Sequence, residues 1–72
     1  MGLPEIRQQC DELLAFFKWQ HLPPHLQAIS RPFGELAVEV SMRPLCGETV
    51  ACLRKLLEAK DCAVRAALMV TG

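Results

Sequence analysis

Four charged side chains of alternating sign are spaced along one apparent helix, within LRKLLEAKDCAVRAAL at residues 53–68. Arg54, Glu58, Asp61 and Arg65 share an arc of about 60° when each residue turns the helix by 100°. One interpretation is a solvated face, on which the pairs Arg54–Glu58 and Asp61–Arg65 contribute about 0.3–0.5 kcal/mol each. The other is an anion site at a subunit boundary, in which the carboxylates hold the two arginines as fixed hydrogen-bonding forks.

A further charge, Lys60, lies off this stripe and between two apolar strips of the same helix. That is an unusual position for a lysine that only contacts solvent. Its long stem either follows the apolar surface out to water or lines a pocket.

The single tryptophan, Trp19, lies in KWQHLPPH, where two prolines prevent a helix from continuing. It either closes one end of a small core or stacks on a nucleobase with Lys18 and His21 beside it, because aromatic stacking accepts any base. His21 and His25 are separated by LPP, which breaks the spacing of a helical metal site, and no third ligand is near in sequence. We therefore expect no metal and no other cofactor.

Composition excludes several classes of function. Eight basic and eight acidic residues give a formal net charge of zero, whereas proteins that bind long nucleic acid are usually basic. No apolar run approaches the ~20 residues of a membrane span. The sequence has no glycine-rich phosphate loop, no nucleophile with an evident base and no carboxylate pair placed for catalysis. We expect a non-enzymatic protein, for which a small anionic ligand remains open.

The four cysteines form no CxxC pair and match no zinc pattern. Cys52 and Cys62 fall within one helix and cannot bond to each other. We interpret all four as small buried hydrophobic residues in a reducing cytosol.

Hydrophobic periodicity predicts an all-α fold of three helices. The first helix opens at Pro4 and lies within residues 1–20. The second spans about residues 24–41, where the unbroken apolar phase favours a continuous, kinked helix through Pro32. The third spans about residues 48–69. The apolar seam of the second helix consists of Leu26, Ile29, Phe33, Leu36 and Val40.

Residues 21–72 are expected to form an antiparallel helical hairpin, and the chain as a whole one domain. A chain of 72 residues hides only about 60% of its unfolded surface, yet 51% of these residues are hydrophobic. The last helix carries three apolar strips, and one strip is enough to contact the second helix. The other two, which are rich in alanine, predict contact with further copies of the chain in a homo-oligomer. 

Two stretches together resemble a known family. FKWQHLPPHLQAISRPFGELA contains aromatic-x-His-Leu-Pro and then Ser-x-x-Phe-x-x-Leu-Ala, and ETVACLRKLLEAKDCAVRAAL contains Leu-x-Lys-Leu-x-Glu-Ala. In this order and spacing, over residues 17–68, they resemble the helical hairpin of phage proteins that sequester cyclic nucleotide signals. These are the anti-CBASS sponges and the related anti-Thoeris sponges.

The resemblance implies a homo-oligomer, a hexamer, that binds cyclic di- or trinucleotides between subunits without cleaving them. In the cytoplasm of the bacterial host, such a sponge deprives immune effectors of their second messenger. By position, Trp19 stands where the family usually has tyrosine, Lys55 occupies the family's lysine position, and Thr49 belongs to a cluster before the last helix. Arg54 and Arg65 match a subset of homologues. With His21, which is added because it lies close to Trp19 in sequence, the expected ligand-binding residues are Trp19, His21, Thr49, Arg54, Lys55 and Arg65.

The alternative function is a structural or adaptor oligomer without a ligand. In that case Trp19 packs in the core, and the charged stripe fixes the register of neighbouring helices. A DNA-binding regulator would need a basic recognition helix, and the sequence contains none.

Overall fold

The computed structural model describes the backbone of residues 2–71 and the side chains of residues 2–70. Three helices follow one another along the chain: α1 (Leu3–Ala15), α2 (Pro24–Ser41) and α3 (Gly47–Thr71). No strand occurs in this range, so the all-α prediction is confirmed. The molecule is elongated, with extents of 44 × 18 × 15 Å, and α3 packs along α2 and against α1.

Helix α1 begins where the sequence provides a cap. The Glu5 side chain accepts a hydrogen bond of 3.0 Å from the backbone N–H of Gly2, and Pro4 occupies the first turn, where its missing N–H is not needed. The helix ends at Ala15, earlier than the expected range of residues 1–20. Phe16 and Phe17 instead donate to the carbonyls of Leu13 and Leu14 and close the last turn.

Helix α2 runs through Pro32 without interruption. Its N-terminus is fixed by the side chain of Gln27, whose Nε2 donates to the carbonyl of Leu22 at 2.7 Å and to that of Gln20 at 3.1 Å. These bonds tie the connection between α1 and α2 to the first turns of α2.

The buried face of α2 differs from the predicted seam. It consists of small residues: Ser30, Gly34, Ala37 and Ser41. Gly34 shows why, because a Cβ atom there would lie 2.9 Å from both the carbonyl oxygen of Phe17 and Cδ1 of Trp19. The backbone that follows α1 crosses α2 so closely that only small side chains fit between them. Of the predicted seam, Phe33 and Val40 flank this contact and Leu36 is exposed.

The core is small and draws on all three helices. Its buried hydrophobic residues are Ile6, Cys10, Phe17, Ala37, Val50 and Leu53, with half-buried leucines, Phe33 and Val40 around them. The far end of α3 extends beyond this core, so that Met69 and Val70 are almost fully exposed.

The prediction of four buried cysteines is wrong for three of them. Cys10 is buried, whereas Cys46, Cys52 and Cys62 are exposed, and all four are free thiols. The physical reason is that Cys46 lies in the turn before α3, while Cys52 and Cys62 are on sides of α3 that neither α1 nor α2 covers.

Candidate anion-binding groove

An open groove of about 370 Å³ lies between the segment that follows α1 and the second half of α3. Its charged lining contains three cations, Lys18, Lys60 and Arg65, against one carboxylate, Asp61. The protein as a whole has no net charge. The groove is therefore a local concentration of positive charge, at the lower end of the roughly 300–1,000 Å³ typical of small-molecule pockets. The other lining residues that matter below are Phe16, His21 and Ser30.

Lys60 is the most deeply placed cation of the groove, with only 14% of its side chain exposed. Its Nζ donates a hydrogen bond of 2.7 Å to the carbonyl oxygen of Phe16 and lies 3.5 Å from Oδ1 of Asp61. The same ammonium is 5.9 Å from the centre of the Phe17 ring. Of the two interpretations of Lys60, the structure supports the second, because the side chain lines a pocket.

Arg65 lies on the exposed side of the groove. Its Nη2 donates a hydrogen bond of 3.3 Å to the sulfur of Cys62, which is a weak acceptor. A guanidinium has five N–H donors, so most of the hydrogen-bonding capacity of Arg65 faces the groove or solvent. The side chain is suited to an anion that accepts two parallel hydrogen bonds.

The predicted pairs along the charged stripe are not formed. In the part of the chain that the structure describes, the ion pairs are Arg31–Glu35 at 3.2 Å and Lys60–Asp61 at 3.5 Å. Asp61 lies 3.5 Å from the Lys60 ammonium, which also donates to the Phe16 carbonyl. Arg65 is consequently left without the carboxylate that the helical spacing assigned to it.

Ser30 is a lining residue of the groove, and its hydroxyl oxygen is covered by neighbouring atoms. The residue is 1% exposed, and its Oγ has no hydrogen-bond partner among the described residues. A buried polar group without a partner costs about 1–3 kcal/mol relative to one that is paired. No local pattern in the sequence predicts this, since a serine inside a helix usually donates to a carbonyl one turn earlier.

The structure places two of the six expected site residues in the groove, His21 and Arg65. Trp19 is half-buried in an adjoining depression, against Gly34, and the guanidinium of Arg31 lies 5.0 Å from its ring centre. Lys18 borders both the depression and the groove. The aromatic ring at the groove itself is Phe16, which is 65% exposed and which the sequence did not single out.

The other three expected residues lie elsewhere. Thr49 is buried at the start of α3, where its hydroxyl donates to the carbonyl of Pro44 at 2.7 Å. Lys55 is exposed on the first half of α3 and shares a shallow depression with Glu48. Arg54 is exposed and is not among the residues that line the groove. These three side chains do not converge with His21 and Arg65.

Cys46 has an unusual environment at the start of α3. The hydroxyl of Thr49, together with the backbone N–H groups of Thr49 and Glu48, lowers the pKa of the Cys46 thiol. The Thr49 hydroxyl lies 3.5 Å from the sulfur and 2.7 Å from the Pro44 carbonyl oxygen. It has a single proton, so it stabilises the thiolate only when that proton turns from Pro44 to the sulfur. Burial has the opposite effect at Cys10 and raises the pKa of its thiol.

Comparisons with protein-family models, with curated proteins and with solved structures found nothing that matches this chain. Within residues 2–71, no helix is both long enough and apolar enough to cross a membrane. In the same part of the chain, His, Cys, Asp and Glu side chains form no group of three that could hold a metal ion.

Proposed function

We propose that this protein is a non-enzymatic sponge that binds cyclic di- or trinucleotides. In this role it acts in the cytoplasm of a bacterial host and antagonises CBASS-like antiphage signalling, as the resemblance to phage sponges implies. The observation that carries the proposal is the groove, which gathers three cations against one carboxylate in a chain of zero net charge. An anion is the ligand that such a local charge excess favours.

The side chains at the groove match the parts of a nucleotide. Arg65 offers a planar fork to a phosphate, and Lys18 offers a mobile ammonium. The exposed ring of Phe16 provides a surface on which a base can stack, and such stacking contributes about 1–3 kcal/mol per base. Lys60 is held by the Phe16 carbonyl and adds positive potential from within the wall.

The proposal includes self-association of antiparallel helical hairpins formed by α2 and α3. The groove is open, so that one copy encloses only part of a ring-shaped ligand, and a second copy would complete the enclosure. Exposed apolar and small residues on α3 supply the surface for that contact: Ala59, Cys62, Ala66, Met69 and Val70. A hexamer is the assembly that the resemblance implies.

Thermal unfolding with a panel of cyclic nucleotides tests the function directly. The panel contains cyclic di-AMP, cyclic di-GMP and cyclic triadenylate, with their linear counterparts as matched controls. A ligand present at 100 times its dissociation constant stabilises the folded state by about 2.7 kcal/mol per site. The ligand should be recovered intact after incubation with the protein, since no cleavage is proposed. The absence of a shift with every cyclic member contradicts the sponge function.

The structural or adaptor module is the second candidate. It is favoured by the hydrogen bonds that Thr49 and Lys60 make within the fold, since both polar groups already serve to hold the helices. This candidate predicts stable oligomers whose unfolding temperature is unaffected by any member of the panel.

A further inference from the structure

Two serines on the buried face of α2 differ in how their hydroxyls are satisfied. A serine inside a helix usually donates to a carbonyl one turn earlier. Ser41 does so, and its Oγ donates to the carbonyl of Val38 at 2.7 Å. The Ser30 hydroxyl has no partner among the described residues, although the residue is only 1% exposed. Close packing of α2 explains why both positions are small, but it does not explain an unpaired hydroxyl at one of them.

The surroundings of Ser30 indicate what kind of partner it lacks. Ser30 lines the groove together with Lys18, Lys60 and Arg65, all of which only donate hydrogen bonds. The one carboxylate there, Asp61, lies beside the Lys60 ammonium. A chemical group that suits this wall is negatively charged and accepts hydrogen bonds without donating any. The non-bridging oxygens of a phosphodiester meet both conditions.

We infer that Ser30 is a ligand-contacting residue of the groove, whose hydroxyl donates a hydrogen bond to a non-bridging oxygen of a phosphodiester. This inference rests on the proposed function and deepens it, because it assigns the phosphate, and not a base, to the wall formed by α2 and α3. The hydroxyl oxygen is covered by its neighbours. Contact therefore requires rotation of Ser30 about χ1 or of a neighbouring side chain of the groove.

Paired serine-to-alanine variants provide the test, with Ser41→Ala as the matched control for Ser30→Ala. Affinity is measured by calorimetry with the cyclic nucleotide of the panel that binds the wild type most tightly, and unfolding is measured without ligand. S30A is expected to weaken binding about tenfold or more, since it removes a hydrogen bond to a charged group. Its unfolding temperature should stay the same or rise, because an unpaired hydroxyl is lost.

S41A should lower the unfolding temperature and leave binding unchanged. It loses the bond to the Val38 carbonyl and unfolds at a lower temperature, while its dissociation constant stays within about twofold of the wild type. If S30A binds the cyclic nucleotide as tightly as the wild type, the assignment of Ser30 is wrong and the sponge function stands. A lowered unfolding temperature for S30A also overturns it, because the hydroxyl then already has a partner. If the wild type binds no member of the panel, the function and the assignment fail together.

Discussion

The ammonium of Lys60 on α3 donates a hydrogen bond of 2.7 Å to the carbonyl oxygen of Phe16, 44 residues earlier in the chain. Phe16 immediately follows α1, so this bond fixes the end of α1 against the middle of α3. It also determines the form of the groove, because Phe16, Lys60 and Asp61 are neighbours there. One polar contact thus serves both the fold and the candidate site.

The Lys60→Met variant is predicted to unfold more easily than the wild type, by about 1 kcal/mol. Methionine keeps the apolar stem but removes the donor, and the exposed position of Phe16 allows water to replace part of the lost bond. Urea unfolding followed by circular dichroism measures the change. Lys55→Met is the control, since this exposed lysine on the same helix should stay within about 0.5 kcal/mol of the wild type. Equal effects for the two variants would show that the Lys60–Phe16 bond contributes nothing to stability.

The Arg65→Ala variant is predicted to lose affinity for cyclic nucleotide by about tenfold or more, because a guanidinium bound to phosphate contributes about 1.5–3 kcal/mol. Arg54→Ala is the matched control, on the same helix and equally exposed, but outside the groove. Its dissociation constant should remain within about twofold of the wild type. Calorimetry on both variants shows whether the ligand binds at the groove or on the first half of α3, and circular dichroism checks that both variants remain helical. A greater loss for R54A than for R65A would place the ligand away from the groove.

The Gly34→Ala variant is predicted to destabilise the fold by up to about 2 kcal/mol. The added Cβ would lie 2.9 Å from the Phe17 carbonyl oxygen, and a backbone atom cannot move aside cheaply. The strain of about 1–3 kcal/mol is offset in part by the gain of about 1 kcal/mol from replacing glycine by alanine inside a helix. Gly47→Ala is the control, because nothing lies within 4 Å of its Cβ position at the start of α3. Urea unfolding should rank the wild type and G47A above G34A, and an unchanged G34A would contradict the close crossing at this point.

The rate at which iodoacetamide alkylates Cys46 is predicted to reach half its maximum below pH ~8.5, the usual pKa of a free thiol. The sign follows from the lowered pKa of this thiol, which makes more thiolate present at a given pH. Thr49→Val removes the hydroxyl and should raise the midpoint, while Thr49→Ser keeps the hydroxyl and should not. Peptide mass spectrometry assigns the rates to individual cysteines across a pH series. Cys10 should stay unmodified in the folded protein because it is buried. The same midpoint in T49V and the wild type would show that the Thr49 hydroxyl has no part in the effect.

Periodicity was sufficient to predict the all-α class, and the continuous apolar phase across Pro32 indicated an uninterrupted α2, which is observed as Pro24–Ser41. The buried face of that helix was not predictable in the same way. Ser30, Gly34 and Ser41 have low hydropathy, so a search for apolar seams passes over them. At Gly34 the burial results from the close approach of Phe17 and Trp19, which is a tertiary contact with no local signal.

The candidate site was predicted only in part for a related reason. Lys60 is distinctive in the sequence because it lies between apolar strips, and Arg65 because of its helical spacing. Whether they converge with Lys18 and Ser30 depends on how the segment after α1 crosses α3, which no single helix specifies. The i,i+4 spacing also predicts an ion pair between Asp61 and Arg65. In the structure the Asp61 carboxylate pairs with the ammonium of Lys60 instead.

The proposed self-association uses the exposed far end of α3. Met69 is 82% exposed and Met42, after α2, is 78% exposed, so the two form a matched pair of accessible methionines. Met69→Glu is expected to shift the oligomer toward smaller species, because a carboxylate cannot be buried in an apolar contact without a partner. Met42→Glu lies outside the proposed surface and should leave the distribution unchanged. Neither variant should alter the stability of the single chain by more than about 0.5 kcal/mol, since both side chains are exposed.

Native mass spectrometry over a dilution series measures the distribution of oligomeric species. A wild-type protein that is a single, folded subunit at every concentration would refute the shared binding site, because no second copy would then be present to complete the enclosure.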